Sequence, residues 1–171
     1  METEEMESQR NLNLKHLVRM RNTFFLFIAV ISLQFWIGMT INLEVNIPVK
    51  HLGPISSLFY FGSHFTFVLI HIANGLFILI IAIILVTISF MNSRRSLRIV
   101  SLIALFSVVG AIVNGILFLA SGQFFGWSIG MAMSAVSALV SASIGLFYVG
   151  HSLGLSEKVG PKKSSSGIKG P

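Results

Sequence analysis

The 171-residue chain contains no cysteine and no aspartate, so its six acidic residues are all glutamates. Without cysteine it can form no disulfide, no thiolate zinc site and no cysteine nucleophile. The glutamates lie near the two ends of the chain and at position 44, outside every long apolar stretch. Proton relays and cation transporters usually keep a carboxylate inside the membrane. The sequence therefore disfavours these classes, and it disfavours a serine, histidine and carboxylate triad for the same reason.

Charge of either sign is missing from three long runs, residues 22–43, 51–93 and 99–156. Only 11% of all residues are charged, whereas a soluble domain usually carries about 25%. A membrane-spanning helix needs about 20 apolar residues, and the third run is long enough for two such helices separated near residues 121–123. The sequence predicts an all-α fold, a four-helix transmembrane up-down bundle.

The 12 basic residues, which give the chain a net charge of +6, predict its orientation. Eleven of them lie on one side of the predicted bundle, and only Lys50 lies on the other. Lysine and arginine accumulate on the cytoplasmic side of membrane proteins, so both termini are expected to be cytoplasmic. This distribution favours contact with anionic membrane lipids over nucleic-acid binding. The other expected partners are further membrane subunits or a second copy of the chain.

The predicted domain organisation has three parts. Residues 1–22 form a cytoplasmic N-terminal segment, in which residues 11–21 are expected to lie as a short helix at the membrane surface. Residues 156–171, rich in Lys, Ser, Gly and Pro, are expected to form a disordered basic cytoplasmic tail. Between them, residues 23–155 form the transmembrane domain, with helices over about residues 23–43, 56–91, 99–120 and 126–153.

Polar side chains within the apolar runs are the candidates for a functional site. At a rise of about 1.5 Å per residue, His71 and Asn114 lie roughly 10 Å below the outer surface, and Gln34 lies a little deeper. The polar residues of four helices thus converge on one layer of the outer leaflet. We predict an interior cluster that either fixes the helix register or binds a ligand, with the following candidates: Gln34, Gly38, Asn42, His71, Asn74, Asn114 and Ser134.

Histidine and methionine are ligands for haem iron and copper. The candidate metal ligands are therefore His71, His64, Met131 and Met133. The two histidines share one predicted helix and cannot hold one iron from both sides. A second axial ligand would have to be one of the two methionines or a histidine from a second copy of the chain. The sequence does not identify a cofactor, and haem is the one cofactor that these residues suggest.

Three short motifs follow one another along the chain. They are QFWIGMTINL at residues 34–43, HIANG at residues 71–75 and NGILFL at residues 114–119. Together they resemble a family of small prokaryotic membrane proteins that have four predicted helices and no assigned function. The resemblance implies a multi-pass protein of a prokaryotic cell membrane, and it singles out Gln34, Gly38, Asn42, His71 and Asn114.

The histidine on the second predicted helix also resembles the pattern in one half of haem A synthase, an enzyme with four-helix halves. That resemblance implies a haem-dependent activity centred on His71. The chain lacks the carboxylate that precedes this histidine in haem A synthase, and it lacks the histidine expected at the outer end of the fourth helix. These differences favour a function other than catalysis.

The preferred interpretation is an integral membrane protein that acts as a non-enzymatic accessory or structural subunit. Its polar cluster, in the outer half of the bundle, is expected to bind a lipid-soluble ligand. The alternatives are a haem-binding redox protein or haem A synthase-like half-enzyme, and a small-molecule transporter.

Overall fold

The computed structural model of the protein describes residues 2–44, 53–64, 66–92, 94–121 and 124–158. Within these ranges the chain is helical and contains no strand. Five helices are present: α1 (Glu2–Glu44), α2 (Pro54–His64), α3 (Thr66–Phe90), α4 (Arg95–Ala120) and α5 (Phe125–Lys158). The predicted all-α class is confirmed for this part of the chain.

Four of the five helices, α1, α3, α4 and α5, are long and apolar enough to cross a membrane. With 25 and 26 residues, α3 and α4 are each about 38 Å long, which exceeds a hydrocarbon core of about 30 Å. Large apolar side chains such as Phe77 and Phe106 are exposed on their outer faces. These features indicate a multi-pass integral membrane protein.

The helix boundaries differ from the predicted ones at two places. Helix α1 runs without interruption from Glu2, because no proline or glycine precedes Gly38. The segment expected to lie at the membrane surface is therefore a continuation of the first apolar helix. The second predicted helix is divided into α2 and α3. A single helix over residues 56–91 would extend far beyond a core of about 30 Å, whereas the separate α2 contacts α3 and α4.

Several predicted features lie outside the described residues. These are most of the loop after α1, with Lys50, and most of the basic tail, from residue 159 onward.

The four long helices form a ring of contacts around a common interior. Helix α1 contacts α3 and α5, and α4 contacts the same two helices. We call the end of the bundle that contains the α3–α4 turn the turn end, and the opposite end, where α2 lies, the α2 end. The larger core cluster extends from the turn end to the middle of the bundle, with fully buried Met20, Phe24, Leu85, Leu97 and Val149.

Polar contacts hold the turn end together. The guanidinium of Arg98 donates two hydrogen bonds to the carbonyl oxygen of Asn92, at 3.1 and 2.8 Å. The guanidinium of Arg94 donates to the hydroxyl of Ser152 in α5. These contacts tie the α3–α4 turn both to the start of α4 and to the last turns of α5.

Small residues in α5 allow its neighbours to come close. Ala138 and Ala142 are fully buried. At Gly145 the ring of Phe24, from α1, occupies the space that a Cβ atom would need. Between α4 and α5 the hydroxyls of Ser107 and Ser137 are 3.0 Å apart and hydrogen-bonded. Close approach at small residues is the usual way in which helices associate in lipid, where no hydrophobic force draws them together.

The contact between Phe24 and Gly145 predicts a stability difference between two glycines of one helix. Gly145→Ala should lower the midpoint of thermal unfolding by several degrees, because a methyl group forced into a filled core costs about 1–3 kcal/mol. Gly150→Ala is the matched control, since nothing lies within 4 Å of its Cβ position, and it should leave the midpoint unchanged or raise it. Heated samples in detergent, followed by size-exclusion chromatography, measure both midpoints. Equal midpoints for the two variants would contradict the packing described here.

Candidate functional site

A cavity of about 380 Å³ lies in the interior of the bundle toward the α2 end. All five helices contribute residues to its wall, and most of these residues are apolar. The polar ones are Gln34, Asn42, His71 and Ser128, and no charged residue is among the described residues that form the wall. Small-molecule sites usually have volumes of about 300–1,000 Å³ and mostly apolar walls with a few polar groups. The cavity has the size and composition of such a site.

Glycines keep the cavity from being filled by the helices around it. Gly38 in α1, Gly75 in α3 and Gly115 in α4 all belong to its wall. A second, smaller core cluster of Ile41, Val68, Phe118 and Leu119 lies beyond the cavity toward the α2 end, and Leu58 of α2 packs against it. The cavity thus lies between two packed layers.

Gln34 connects α1 to α3 through both ends of its carboxamide. Its Nε2 donates a hydrogen bond to the backbone oxygen of His71 at 2.9 Å, and its Oε1 accepts one from Nδ2 of Asn74 at 2.8 Å. The spacing explains the pairing, because His71 and Asn74 are three apart and lie on one face of α3. The structure thus brings together three of the residues that the sequence analysis selected.

The imidazole of His71 lies against the bare backbone of Gly38. A Cβ atom at position 38 would be only 3.0 Å from Cε1 of the imidazole, so the lack of a side chain gives the ring its place. Gly75 leaves room for Gln34 in a similar way, since a Cβ atom at position 75 would be 3.4 Å from Nε2 of Gln34. These two glycines explain why the α1 and α3 motifs contain a glycine four residues after Gln34 and four residues after His71.

Nδ1 of His71 is buried and has no hydrogen-bond partner among the described residues. A buried polar atom without a partner costs about 1–3 kcal/mol, so native structures seldom keep one without a reason. His71 also belongs to the cavity wall and is only partly buried as a residue, so a ligand in the cavity can contact the remainder of its side chain rather than Nδ1.

Asn114 and Ser134 are not part of the cluster around Gln34 and His71. Nδ2 of Asn114 donates to the carbonyl oxygen of Gly110, one turn earlier in α4, at 2.7 Å. Its carboxamide fills the space beside Gly130 in α5, and Ser134 of α5 lies against Gly110. Because Gly130 leaves room and Gly110 supplies an acceptor, Asn114 is satisfied between α4 and α5. The single cluster expected from the sequence is therefore two clusters on opposite pairs of helices.

Exposed residues of the wall show where the cavity reaches the surface of the bundle. Phe24 and Asn42 share one face of α1, because they are 18 residues, or five turns, apart. Phe24 is fully buried against Gly145 of α5, whereas Asn42, which also belongs to the cavity wall, is exposed. The wall residues Met39 of α1 and Leu76 of α3 are 49% and 54% exposed. The bundle is therefore closed at Phe24, toward the turn end, whereas parts of the cavity wall are exposed farther toward the α2 end.

The structure describes the side chains of three of the four candidate metal ligands. His71 and Met131 both belong to the cavity wall, while Met133 is 66% exposed on the outside of the bundle. The side chain of His64, the last residue of α2, lies outside the described residues. No group of three or more His, Cys, Asp or Glu that could hold a metal ion occurs among the residues that the structure describes.

Sequence reasoning missed the cavity itself and several residues of its wall. Met131 was considered only as a metal ligand, and Ser128, Phe35 and Leu58 were not considered at all. One usable signal was available, since each of the three uncharged runs contains one of the glycines of the wall, at Gly38, Gly75 and Gly115. The apolar wall residues look like any other membrane residues in the sequence.

No protein-family model matches the chain, and no curated protein or solved structure shows significant similarity to it. The resemblances to the small prokaryotic membrane proteins and to haem A synthase therefore stay predictions from short motifs. The geometry of the cavity is therefore the basis on which a function is inferred.

The hydrogen bonds of Gln34 predict an energetic coupling that depends on the partner. Gln34→Leu and Asn74→Leu should each lower stability, by about 0.6 kcal/mol and at most about 2 per interhelical hydrogen bond. The double variant should lose less than the sum of the two, because both single changes remove the same bond. Gln34→Leu combined with Ser107→Ala is the control and should be additive, since Ser107 pairs with Ser137 in a different seam. Thermal unfolding of purified protein measures these effects, and additivity of the first pair would contradict the network.

Proposed function

We propose that the protein is a non-enzymatic accessory or structural subunit of a prokaryotic cell membrane that holds a lipid-soluble ligand in its cavity. In this proposal the four long helices form an up-down bundle, both termini are cytoplasmic and the cavity lies in the outer half of the bilayer. Its partners are membrane lipids and either other membrane subunits or a second copy of the chain, and not nucleic acid.

The positions of the basic residues support this orientation. Arg94, Arg95 and Arg98 are at the turn end of the bundle, around the α3–α4 turn. Lys15 and Arg19 are at the same end, since Leu17 and Met20 beside them belong to the same core cluster as Leu97 and Val149. By the positive-inside rule the turn end is cytoplasmic, which puts the α2 end and the cavity in the outer leaflet.

One observation supports ligand binding above all others, namely the combination of an uncharged, mostly apolar cavity with an opening toward the surface that faces lipid. Sites for apolar molecules are concave and mostly apolar, with a few polar groups that fix orientation. A molecule dissolved in the bilayer can reach the cavity beside the exposed apolar wall residues Met39 and Leu76 without passing through water.

The polar groups of the cavity wall support binding rather than catalysis. Both ends of the Gln34 carboxamide are already hydrogen-bonded within the protein. General acid–base and nucleophilic mechanisms need a reactive group held within reach of a second one that activates it. The described part of the wall contains no carboxylate and no thiol, and its only hydroxyl is that of Ser128, near the start of α5. This composition also gives no support to a transporter that moves ions or other charged solutes.

The proposed orientation predicts the labelling pattern of two single-cysteine variants, for which the cysteine-free chain provides a clean background. Gly53→Cys, directly before α2, should react with a membrane-impermeant maleimide on intact cells. Ser96→Cys, exposed near the start of α4, should react only after the membrane is permeabilised. The reverse pattern would contradict the orientation, and labelling of both sites on intact cells would contradict the up-down topology.

The proposed function predicts that an apolar compound remains bound when the protein is purified from its membrane in mild detergent. Organic extraction and mass spectrometry should detect this compound at an amount comparable to the protein. Ala132→Phe, which places a ring in the cavity, should lose it, whereas Ala73→Phe on the exposed face of α3 should retain it.

Three results would contradict the proposed function. Equal retention of the compound by the two alanine variants would show that it is not held in the cavity. A haem absorbance band in the purified protein would favour the redox alternative. Specific uptake of a solute into vesicles that contain the protein would favour a transporter.

A further inference from the structure

The polar residues of the cavity wall indicate what kind of polar end the ligand has. Of the four polar residues in the wall, Gln34 has both carboxamide groups engaged within the protein. Asn42 is exposed at the opening, and Ser128 is near the start of α5, at the α2 end. The remaining group is the imidazole of His71, with its buried Nδ1.

We infer that the ligand is an uncharged, single-headed lipid whose hydroxyl or carbonyl oxygen forms a hydrogen bond with the imidazole of His71. This inference rests on the proposed function, because it requires that the cavity binds a ligand at all. It goes further by naming the chemical class of the ligand and the side chain that recognises it.

The described part of the wall carries no charged residue, which selects an uncharged polar end. A carboxylate or an ammonium group buried without a charged partner loses its hydration and gains little in return. A neutral imidazole nitrogen, in contrast, either accepts a hydrogen bond or donates one, depending on which nitrogen carries the proton. The imidazole can therefore pair with a hydroxyl as the acceptor or with a carbonyl as the donor.

The surroundings of His71 hold the imidazole in a defined position. The backbone oxygen of His71 is bound by Gln34 at 2.9 Å, and the ring lies against Gly38, where a Cβ atom would be 3.0 Å from Cε1. The ring is thus fixed between a hydrogen bond on its own backbone and a glycine on the neighbouring helix. A polar group held in this way is preorganised for a partner and loses little freedom on binding.

The volume of the cavity limits how much of the ligand it encloses. At about 30 Å³ for each water-sized group, the 380 Å³ cavity holds about a dozen non-hydrogen atoms. A polar end and roughly ten carbons therefore fit inside. A longer chain would leave through the opening at Met39 and Asn42 and lie along the outside of the bundle among the acyl chains.

A set of matched photoreactive probes tests the inference on the full chain in phosphatidylcholine vesicles. Each probe is a ten-carbon chain with a diazirine at its middle, and the heads are a hydroxyl, a methyl ketone, a carboxylate, a trimethylammonium group and no head. After irradiation, mass spectrometry compares the labelling of cavity residues such as Ile112 and Ala132 with that of the exposed Phe106.

In the wild-type chain, the hydroxyl probe or the ketone probe should label the cavity about five- to tenfold more than the headless probe, which is the factor given by one net hydrogen bond. The two charged probes should label it no more than the headless one. A preference for the hydroxyl identifies the imidazole as an acceptor and a preference for the ketone identifies it as a donor, and either result supports the inference.

Two variants locate the preference at His71. His71→Phe keeps a ring but removes both ring nitrogens, and it should reduce the labelling by the preferred probe to that of the headless probe. Gly38→Ala keeps the imidazole but crowds Cε1, and it should reduce the preference at least severalfold even if His71→Phe does not fold. Ser107→Ala, in the α4–α5 seam, is the control and should keep the full preference.

The outcomes separate the inference from the proposed function. Equal labelling of the cavity by all five probes would overturn the role of His71 and leave ligand binding supported. Preference for a charged probe, or a neutral preference that persists in both variants, would also overturn the inference. Labelling of Phe106 without labelling of the cavity by any probe would overturn the proposed function itself.

Discussion

How closely two helices approach each other determines where this bundle is tightly packed and where it leaves a cavity. Lipid is as apolar as the helix surfaces, so helices in a membrane associate through close packing and hydrogen bonds. At the contact of Phe24 with Gly145, an aromatic ring fills the space left by a missing side chain, and α1 and α5 are held together. Toward the α2 end, Asn42 on the same face of α1 is exposed, and it belongs to the wall of the cavity.

Glycine therefore has two opposite effects in this protein. At Gly145 and Gly130 a side chain from the neighbouring helix occupies the freed space, and the packing is tight. At Gly38, Gly75 and Gly115 the freed space admits a polar group or a thioether at the edge of the cavity, and part of it stays open. The difference depends on the size of the group that the opposing helix presents, which is a property of the assembled bundle.

The hydrogen bonds of the polar residues reflect a second constraint of the membrane interior. Water is not available there as a hydrogen-bond partner, so a polar group needs a partner on the protein. Gln34, Asn74 and Asn114 each find an acceptor or donor on the protein. His71 is different, because its Nδ1 is buried without a partner in the described part of the chain. Its position in an uncharged wall is what connects the architecture to the proposed binding of a neutral lipid.

The sequence by itself determined the all-α class and the four membrane-capable helices, because a run without charge and of sufficient length has few other stable states in a bilayer. It also indicated Gln34, His71 and Asn74 as neighbours, because depth follows from counting residues along a helix. Depth alone did not reveal that Asn114 turns toward α5, since that requires the rotation of α4 about its axis and the space at Gly130. Only the tertiary structure decided where the helices separate, because the volume between helices depends on side chains from all of them at once. The cavity therefore belongs to the assembled bundle and not to any one segment of the chain.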